Sequence, residues 1–462
     1  MASQAKLRSG TPKKGKSKIG RIFILILVLI IIAAGGLAAI ILFETEKPLV
    51  SLTEETGYFG QEAAIAFQAT DRKQGIRSVS IAIEQKGNTT ELFQNNFQRR
   101  TWFYGAGPAE TEGVVVFDNK KAKLQDGEAE LIVTARDFSL NRMLQGNAAV
   151  SRYPVMIDTK LPRVTIEHSQ RYILQGGSGI VVYDISEPAE RHGVEVNDDF
   201  FQGYPMHNQE NRYIAYIALD WNADTIKNSR VVAVDMAGNE GQAVFSMVLK
   251  QAAYKKDRIG VGDDFLNAKV PEFEQYYPEM TGSMLDKYLF TNNEVRKRNA
   301  ETIRELCGSP EPKGLWADSF LRMAGAPKAG FADQRTYFYQ GNAIDQQVHL
   351  GMDIASTAAV EIKAANRGKV VFADYLGIYG NTVILDHGQG IFSLYSHLSR
   401  LEAEAGRIVD KGVVIGRSGA TGMAGGDHLH FSMLVHGKFV NPVEWWDQHW
   451  IDVNIKDILE QL

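Results

Sequence analysis

Hydrophobic and polar positions along this 462-residue chain follow four successive patterns. Residues 22–43 are a charge-free, almost wholly apolar run of 22 residues. As a helix rising 1.5 Å per residue, such a run reaches about 33 Å, enough to cross a bilayer. From 47 to 250 the pattern shortens to alternation: A-I-A-F-Q-A at 64–69, S-V-S-I-A-I at 78–83 and E-L-I-V-T-A at 130–135 predict half-buried strands between turns. Residues 251–312 are charged and lose the alternation. The stretch 293–307 has no Pro or Gly and sets Val295, Ile303 and Leu306 at roughly helical spacing, with Asn292 placed to cap its start and Gly308 its end. This predicts a helical connector. After Gly314 the strand pattern returns at 368–373, 382–386 and 391–397, with D-H-G-Q-G at 386–390 as a hairpin turn and a further strand opening at His430. The last residues, 447–462, predict a short surface helix that packs back or links to another element.

The strand-rich part contains a weak repeat. P-L-V-S-L at 48–52 parallels P-R-V-T-I at 162–166, and V-T-A-R-D ending at Asp137, with Asn141 four residues on, parallels V-A-V-D ending at Asp235, with Asn239 four residues on. Asp and Asn at that offset suit a turn, because their short side chains bond local backbone. The units lie about 100 residues apart, the size of a β-sandwich domain. The opening strand and the closing D-M-A-G-N turn resemble bacterial immunoglobulin-like domains, which implies a spacer or a surface that binds wall polymers. The expected architecture is mainly β: a basic cytoplasmic leader 1–21, a transmembrane helix 22–43, β-sandwich domains 47–158 and 159–250, a helical connector 251–312, an antiparallel β domain 313–446 and a tail 447–462.

Composition and charge refine this. At 44% hydrophobic and 23% charged residues the chain is that of a folded protein. Seven Lys and Arg precede or open the apolar run with no acidic residue among them, while Glu44 and Glu46 follow it. This asymmetry predicts a cytoplasmic N-terminus and a periplasmic or extracytoplasmic body, anchored in the cell membrane by a single pass. A cleaved signal peptide is disfavoured, since its apolar core is usually about 7–15 residues. Setting those seven positive charges aside, the formal net of −5 becomes about −12 for the remainder. An acidic body argues against a nucleic-acid partner. Cys307 is the sole cysteine, so an intramolecular disulfide and a thiolate metal cluster are both excluded, and a metal site must use His and carboxylates.

Seven of the ten histidines lie beyond residue 348. His349 and Asp353 are four apart in H-L-G-M-D, and His428 and His430 two apart in D-H-L-H. In extended backbone both spacings keep the side chains on one face. A catalytic zinc wants three N/O ligands and one open position, and His397 supplies a further imidazole. No Glu lies beside these residues as in H-E-x-x-H, so a general base must come from elsewhere.

H-L-G-M-D-I-A at 349–355, L-Y-S-H-L at 394–398, G-A-T-G at 419–422, H-L-H-F at 428–431, then Gly437 and N-P at 441–442, resemble the lysostaphin-type, or LytM-like, zinc endopeptidases that cut bacterial cell-wall peptides. The resemblance covers roughly residues 324–446. It implies one Zn2+ per chain held by His349, Asp353 and His430, with His397 and His428 catalytic beside the open position. The expected order is His428 as base and His397 as stabiliser of the developing oxyanion. It also implies hydrolysis of peptidoglycan stem peptides or cross-bridges, with cell-envelope proteins as further partners. The alternative is a non-catalytic regulator that binds peptidoglycan and activates other wall hydrolases. One departure is M-A-G-G-D at 423–427, which replaces the Ser-Thr-Gly-Pro type of turn before the H-x-H and bears on the shape of the groove.

Overall fold

The computed structural model describes residues 18–462 except 55, 56, 103 and 208. Most of the basic leader, residues 1–17, therefore lies outside the described residues. The chain divides into two compact units, one running to Lys160 and including Ala237–Asn239, the other comprising Leu161–Met236 and Glu240–Leu462.

In the first unit the apolar run forms a helix, Lys18–Leu42, long and apolar enough to cross a membrane. Two sheets follow. One has three strands, Leu49–Leu52, Glu62–Thr70 and Glu110–Asp118; the other has five, in the order Tyr58–Phe59, Ala148–Ile157, Gly127–Asp137, Ile76–Gln85 and Asn88–Asn96. Alternation along the strands sends Ile65 and Phe67 from one sheet and Val79, Ile81, Ile83, Leu131 and Val133 from the other into a common core. The result is a sandwich.

The second unit opens with another pair of sheets, each of four strands. Val164–Ser169, Ser178–Ile185, Arg212–Ala218 and Tyr204–Pro205 form one; Ala189–Val196, Asp199–Gln202, Ser229–Asp235 and Glu240–Val244 form the other. Their core does not close on itself. Val182, Tyr216 and Ile217 belong to the same buried cluster as Val383, Tyr395, Phe431 and Trp445 of the C-terminal region. Trp445 is fully buried against Tyr216, Trp316, Phe320 and Trp450, and its indole N–H donates to Ser178 Oγ at 3.1 Å. The tail is drawn into this core as well, with Ile451 and Ile455 buried in it.

Between these parts run a short strand, Lys256–Gly260, and the helices Asp263–Glu274, Met284–Phe290 and Arg296–Leu306. The expected cap at Asn292 is not formed. Ser283 begins the helical stretch with a reciprocal capping box to Asp286, and the chain passes through a π-helical turn, Thr291–Val295, directly into the next helix. Asn292 is buried inside that turn and donates to Asp345 Oδ2 at 2.7 Å. A side chain that satisfies a tertiary partner is unavailable to the local backbone.

The C-terminal region is built on an eight-stranded sheet. Seven strands lie in the order Ala326–Ala329, Met352–Ala355, Leu429–Val435, Ile391–Leu398, Asn381–Asp386, Gly368–Tyr375 and Ile408–Val409, and Lys438–Val440 also pairs with Leu429–Val435. A separate three-stranded sheet joins Lys256–Gly260, Asp333–Tyr339 and Asn342–His349. Where the two sheets meet, the histidines converge.

Candidate metal and hydrolytic centre

His349 ends the strand Asn342–His349, and after two intervening residues the chain enters Met352–Ala355, so the pair His349 and Asp353 sits across a strand break. Register then does the work that spacing could not. Asp353 lies opposite His430, and His430 lies opposite Ser396, which puts His397 at the next position along. Gly351 permits the approach: a Cβ there would collide with the His430 ring and Ser432 Oγ. His397 adopts a left-handed backbone (φ 61°), rare for a side chain with a Cβ, at the end of its strand. Such strain costs on the order of 1–3 kcal/mol and is held only where surrounding structure fixes it.

His349 Nε2, His430 Nδ1 and Asp353 Oδ1 are mutually 2.9 Å apart. The outer hydrogen bonds determine where the ring protons are. His349 Nδ1 lies 2.8 Å from the Gly330 carbonyl, which only accepts, so Nδ1 carries the hydrogen. Ser432 Oγ donates to the Leu350 carbonyl at 2.8 Å and therefore accepts from His430 Nε2 at 3.1 Å. With both rings neutral, three lone-pair atoms face one another with no proton between them. One imidazolium proton on His349 could not serve Asp353 and His430 at once, whereas a cation satisfies all three. Two imidazole nitrogens and one carboxylate oxygen, each imidazole anchored by a second hydrogen bond, match the ligand chemistry of zinc.

Two further imidazoles border the triad. The ring centroid of His397 lies 4.8 Å from that of His428 and 5.8 Å from that of His430. Each donates its Nδ1–H to a backbone carbonyl, His397 to Thr421 at 2.9 Å and His428 to Gly426 at 2.8 Å, so each neutral ring offers an Nε2 lone pair. Burial and the neighbouring imidazoles hold His397 well below the usual imidazole range. His428 is pushed down by burial but raised on balance by Asp353, whose Oδ1 is 3.5 Å from its Nε2. Burial works against the charge on Asp353, yet His349 and the other imidazoles keep its carboxyl well below the ordinary range.

The five residues singled out by sequence thus meet at one place. The remaining histidines beyond residue 348 do not join them; His387, for example, is buried between the Arg367 carbonyl and Ser393 Oγ. Sequence reading missed several neighbours. Arg335 donates to Asp353 Oδ2 at 2.9 Å, and its Nε has no hydrogen-bond partner. Ser432 fixes the His430 tautomer. Tyr337 and Tyr379 line the same cavity, of about 310 Å³, as the five site residues. Its opposite wall comes from the connector, through Val261, Phe265, Tyr288 and Arg296, and from Met423–Gly425 of the departing turn. That turn is held by Met423 N–H to the Ile378 carbonyl at 2.8 Å and Gly422 N–H to Glu272 Oε1 at 2.6 Å. Only the H-x-S step at 430–432 carried a local signal for Ser432; Arg335 comes from the strand before His349, and the connector residues are farther away in the chain.

Residues 347–442 match Peptidase family M23, so the C-terminal region carries an M23 domain of the lysostaphin and LytM type. Among curated proteins, the chain is 38% identical over 97 residues to the DD-carboxypeptidase/endopeptidase Mpg of Neisseria meningitidis, covering 21% of this chain and 22% of that protein. It is 34% identical over 96 residues to the peptidoglycan DD-endopeptidase ShyA of Vibrio cholerae (21% and 22% covered). It is 36% identical over 95 residues to the murein hydrolase activator EnvC of Escherichia coli (21% and 23% covered). The chain spans about a fifth of the length of these relatives.

Proposed function

We propose that this chain, with its M23 domain, is a membrane-anchored zinc endopeptidase that hydrolyses peptide cross-links of bacterial peptidoglycan outside the cytoplasm. The observation that carries the reading is the proton-free convergence of His349 Nε2, His430 Nδ1 and Asp353 Oδ1 beside two more imidazoles, each anchored through Nδ1 to a backbone carbonyl. When bound, zinc supplies Lewis-acid polarisation of the scissile carbonyl and brings the pKa of its water towards about 7.

The chain's own groups move the protons. Of His397 and His428, whose Nε2 atoms border the triad, one accepts the proton of the attacking water at Nε2 and the other donates from Nε2 to the developing oxyanion. The base then passes its proton to the leaving amine as the C–N bond breaks. Around these groups Tyr337 and Tyr379 form a partly apolar wall that seats the substrate peptide. The apolar helix Lys18–Leu42, read as an uncleaved anchor, keeps the centre within reach of the wall.

The test uses the full-length protein in detergent on cross-linked peptidoglycan. Wild type should release peptide fragments in a chelator-sensitive reaction. His397→Ala and His428→Ala should each lose at least about 100-fold in rate, the usual scale of acid–base catalysis, with zinc content near one per chain. His349→Ala should lose the zinc. Loss of zinc in either catalytic variant would overturn the ligand assignment. Binding of peptidoglycan by the wild type without cleavage would overturn the enzyme reading in favour of an activator, the role named for EnvC.

A further inference from the structure

A second cluster of ligand-type groups lies in the first unit, at the point where the apolar helix ends. Glu44 follows the helix by two residues, Asp71 follows the strand Glu62–Thr70, and Asp137 ends the strand Gly127–Asp137. Each offers a carboxylate oxygen, and the three atoms lie within 4.8 Å of one another. All three residues are buried: Glu44 is 9% exposed, Asp71 7% and Asp137 0%.

Two of these carboxylates are accounted for by local turns. Asp71 Oδ1 accepts from the backbone N–H groups of Lys73 and Gly75 at 3.0 and 2.9 Å. Asp137 Oδ1 accepts from Ser139 and Asn147 N–H at 2.9 and 2.7 Å, and Oδ2 from the Asn147 amide at 2.8 Å. Glu44 is different. Neither of its buried carboxylate oxygens has a hydrogen-bond partner, although the side chain is aimed at two other carboxylates. Burial and the charges of Asp71 and Asp137 push its pKa up, so the charged form is held at a cost. The nearby cation, Lys73, lies 3.5 Å from Glu44 Oε2 but sits closer, at 2.5 Å, to the exposed Glu46 and is itself 43% exposed. One shared ammonium at the rim does not balance three carboxylates. A buried carboxylate that accepts no hydrogen bond and only shares one rim cation is held at a cost that a further cation would offset.

We propose that Glu44, Asp71 and Asp137 form a calcium site that clamps the exit of the apolar helix to the first sandwich. An all-oxygen donor set selects a hard cation, and Ca2+ takes oxygen ligands at about 2.3–2.6 Å, so two ligands of one ion lie at most about 5 Å apart. The observed spread fits that limit. Three protein carboxylates suit Ca2+ better than Mg2+, which holds near-octahedral geometry at about 2.0–2.1 Å, usually keeps several waters and is bound through one or two carboxylates. The location gives the site its consequence. The Leu42 carbonyl accepts from Leu140 N–H at 2.7 Å, the Ile41 carbonyl accepts from the Gln74 amide at 2.6 Å, and the Glu44 carbonyl accepts from Ser139 Oγ and the Asn147 amide, both at 2.9 Å. Asp71 and Asp137 belong to the loops that make these bonds. A cation there fixes the helix exit against both loops, and the ion thereby sets how stiffly the sandwich is carried on its helix. The proposal does not depend on the peptidase reading.

Calorimetric titration of the full-length protein in nanodiscs with CaCl2 and, separately, MgCl2 tests it, alongside hydrogen exchange of the segments 71–75 and 137–147. Calcium should bind with a dissociation constant below about 1 mM, the range of extracellular modules, and slow exchange in both segments. Glu44→Gln should weaken binding at least about tenfold, and it should raise the melting temperature in calcium-free buffer because it removes repulsion. Lys73→Met should tighten calcium, and His349→Ala should leave the response intact. The proposal is overturned if calcium produces no heat and no protection, or if Glu44→Gln binds it as the wild type does. It is equally overturned if Lys73→Met destabilises the unit at every calcium concentration, since Lys73 would then be the built-in counterion.

Discussion

Replacing Ser432 by Ala isolates the contribution of a group that touches no substrate. Ser432 is fully buried and joins two partners: it accepts from His430 Nε2 at 3.1 Å and donates to the Leu350 carbonyl at 2.8 Å. Without Oγ, the Nε2–H of His430 loses its protein acceptor. The ring then gains by moving its proton to Nδ1, where Asp353 Oδ1 waits 2.9 Å away. That tautomer blocks the lone pair a metal needs, so binding must first displace the proton. Losing an outer partner of a ligating histidine typically weakens metal affinity about 10–100-fold, which is about 1.4–2.7 kcal/mol. The same range follows from leaving one buried polar group unpaired, about 1–3 kcal/mol. Competition with a chromophoric zinc chelator reads the affinity directly. The turnover of Ser432→Ala at saturating zinc should stay within a few-fold of wild type, because His397 and His428 are untouched. An unchanged zinc affinity would refute the tautomer argument. A turnover as low as that of His397→Ala at full zinc occupancy would refute the assignment of Ser432 to metal positioning.

Two further changes probe the scaffold. Glu444 accepts from Ser178 N–H at 2.8 Å, and burial pushes its carboxyl up to about 8 from an ordinary 4.5. A raised carboxyl stabilises the fold fully below about pH 4.5 and loses that contribution as pH rises through about 8; allowing for solvent at its half-buried edge, the loss is roughly 1–3 kcal/mol. Urea unfolding of Glu444→Gln should therefore match wild type at pH 5 and exceed it at pH 9, and a constant difference at both pH values would sink the linkage. Trp445→Ala opens the core shared by the second sandwich and the C-terminal region, and about 3–5 kcal/mol of stability should go. Both parts should unfold in one shifted transition, whereas separate transitions for the two would show that the shared cluster does not couple them.

The sequence alone determined the elements whose signals are local. A charge-free run of membrane length becomes a helix whatever surrounds it, and strict alternation in 64–69, 78–83 and 130–135 buries one face of a strand because side chains alternate. Motif order also named His349, Asp353, His397, His428 and His430 as one set, since the chemistry of zinc limits which residue types serve. Tertiary structure decided what those residues could not express by spacing. Asp353 meets His430 through strand register, Ser432 and Gly330 set the ring protons from outside, and Arg335 arrives from another sheet. Asn292 shows the limit from the other side: its type suits a helix cap, but a carboxylate 53 residues away claimed its amide. The connector's role as a wall of the cavity and the core common to the second pair of sheets and the C-terminal sheet were invisible for the same reason. Contacts between distant segments depend on how whole faces pack, and no window of neighbouring residues carries that information.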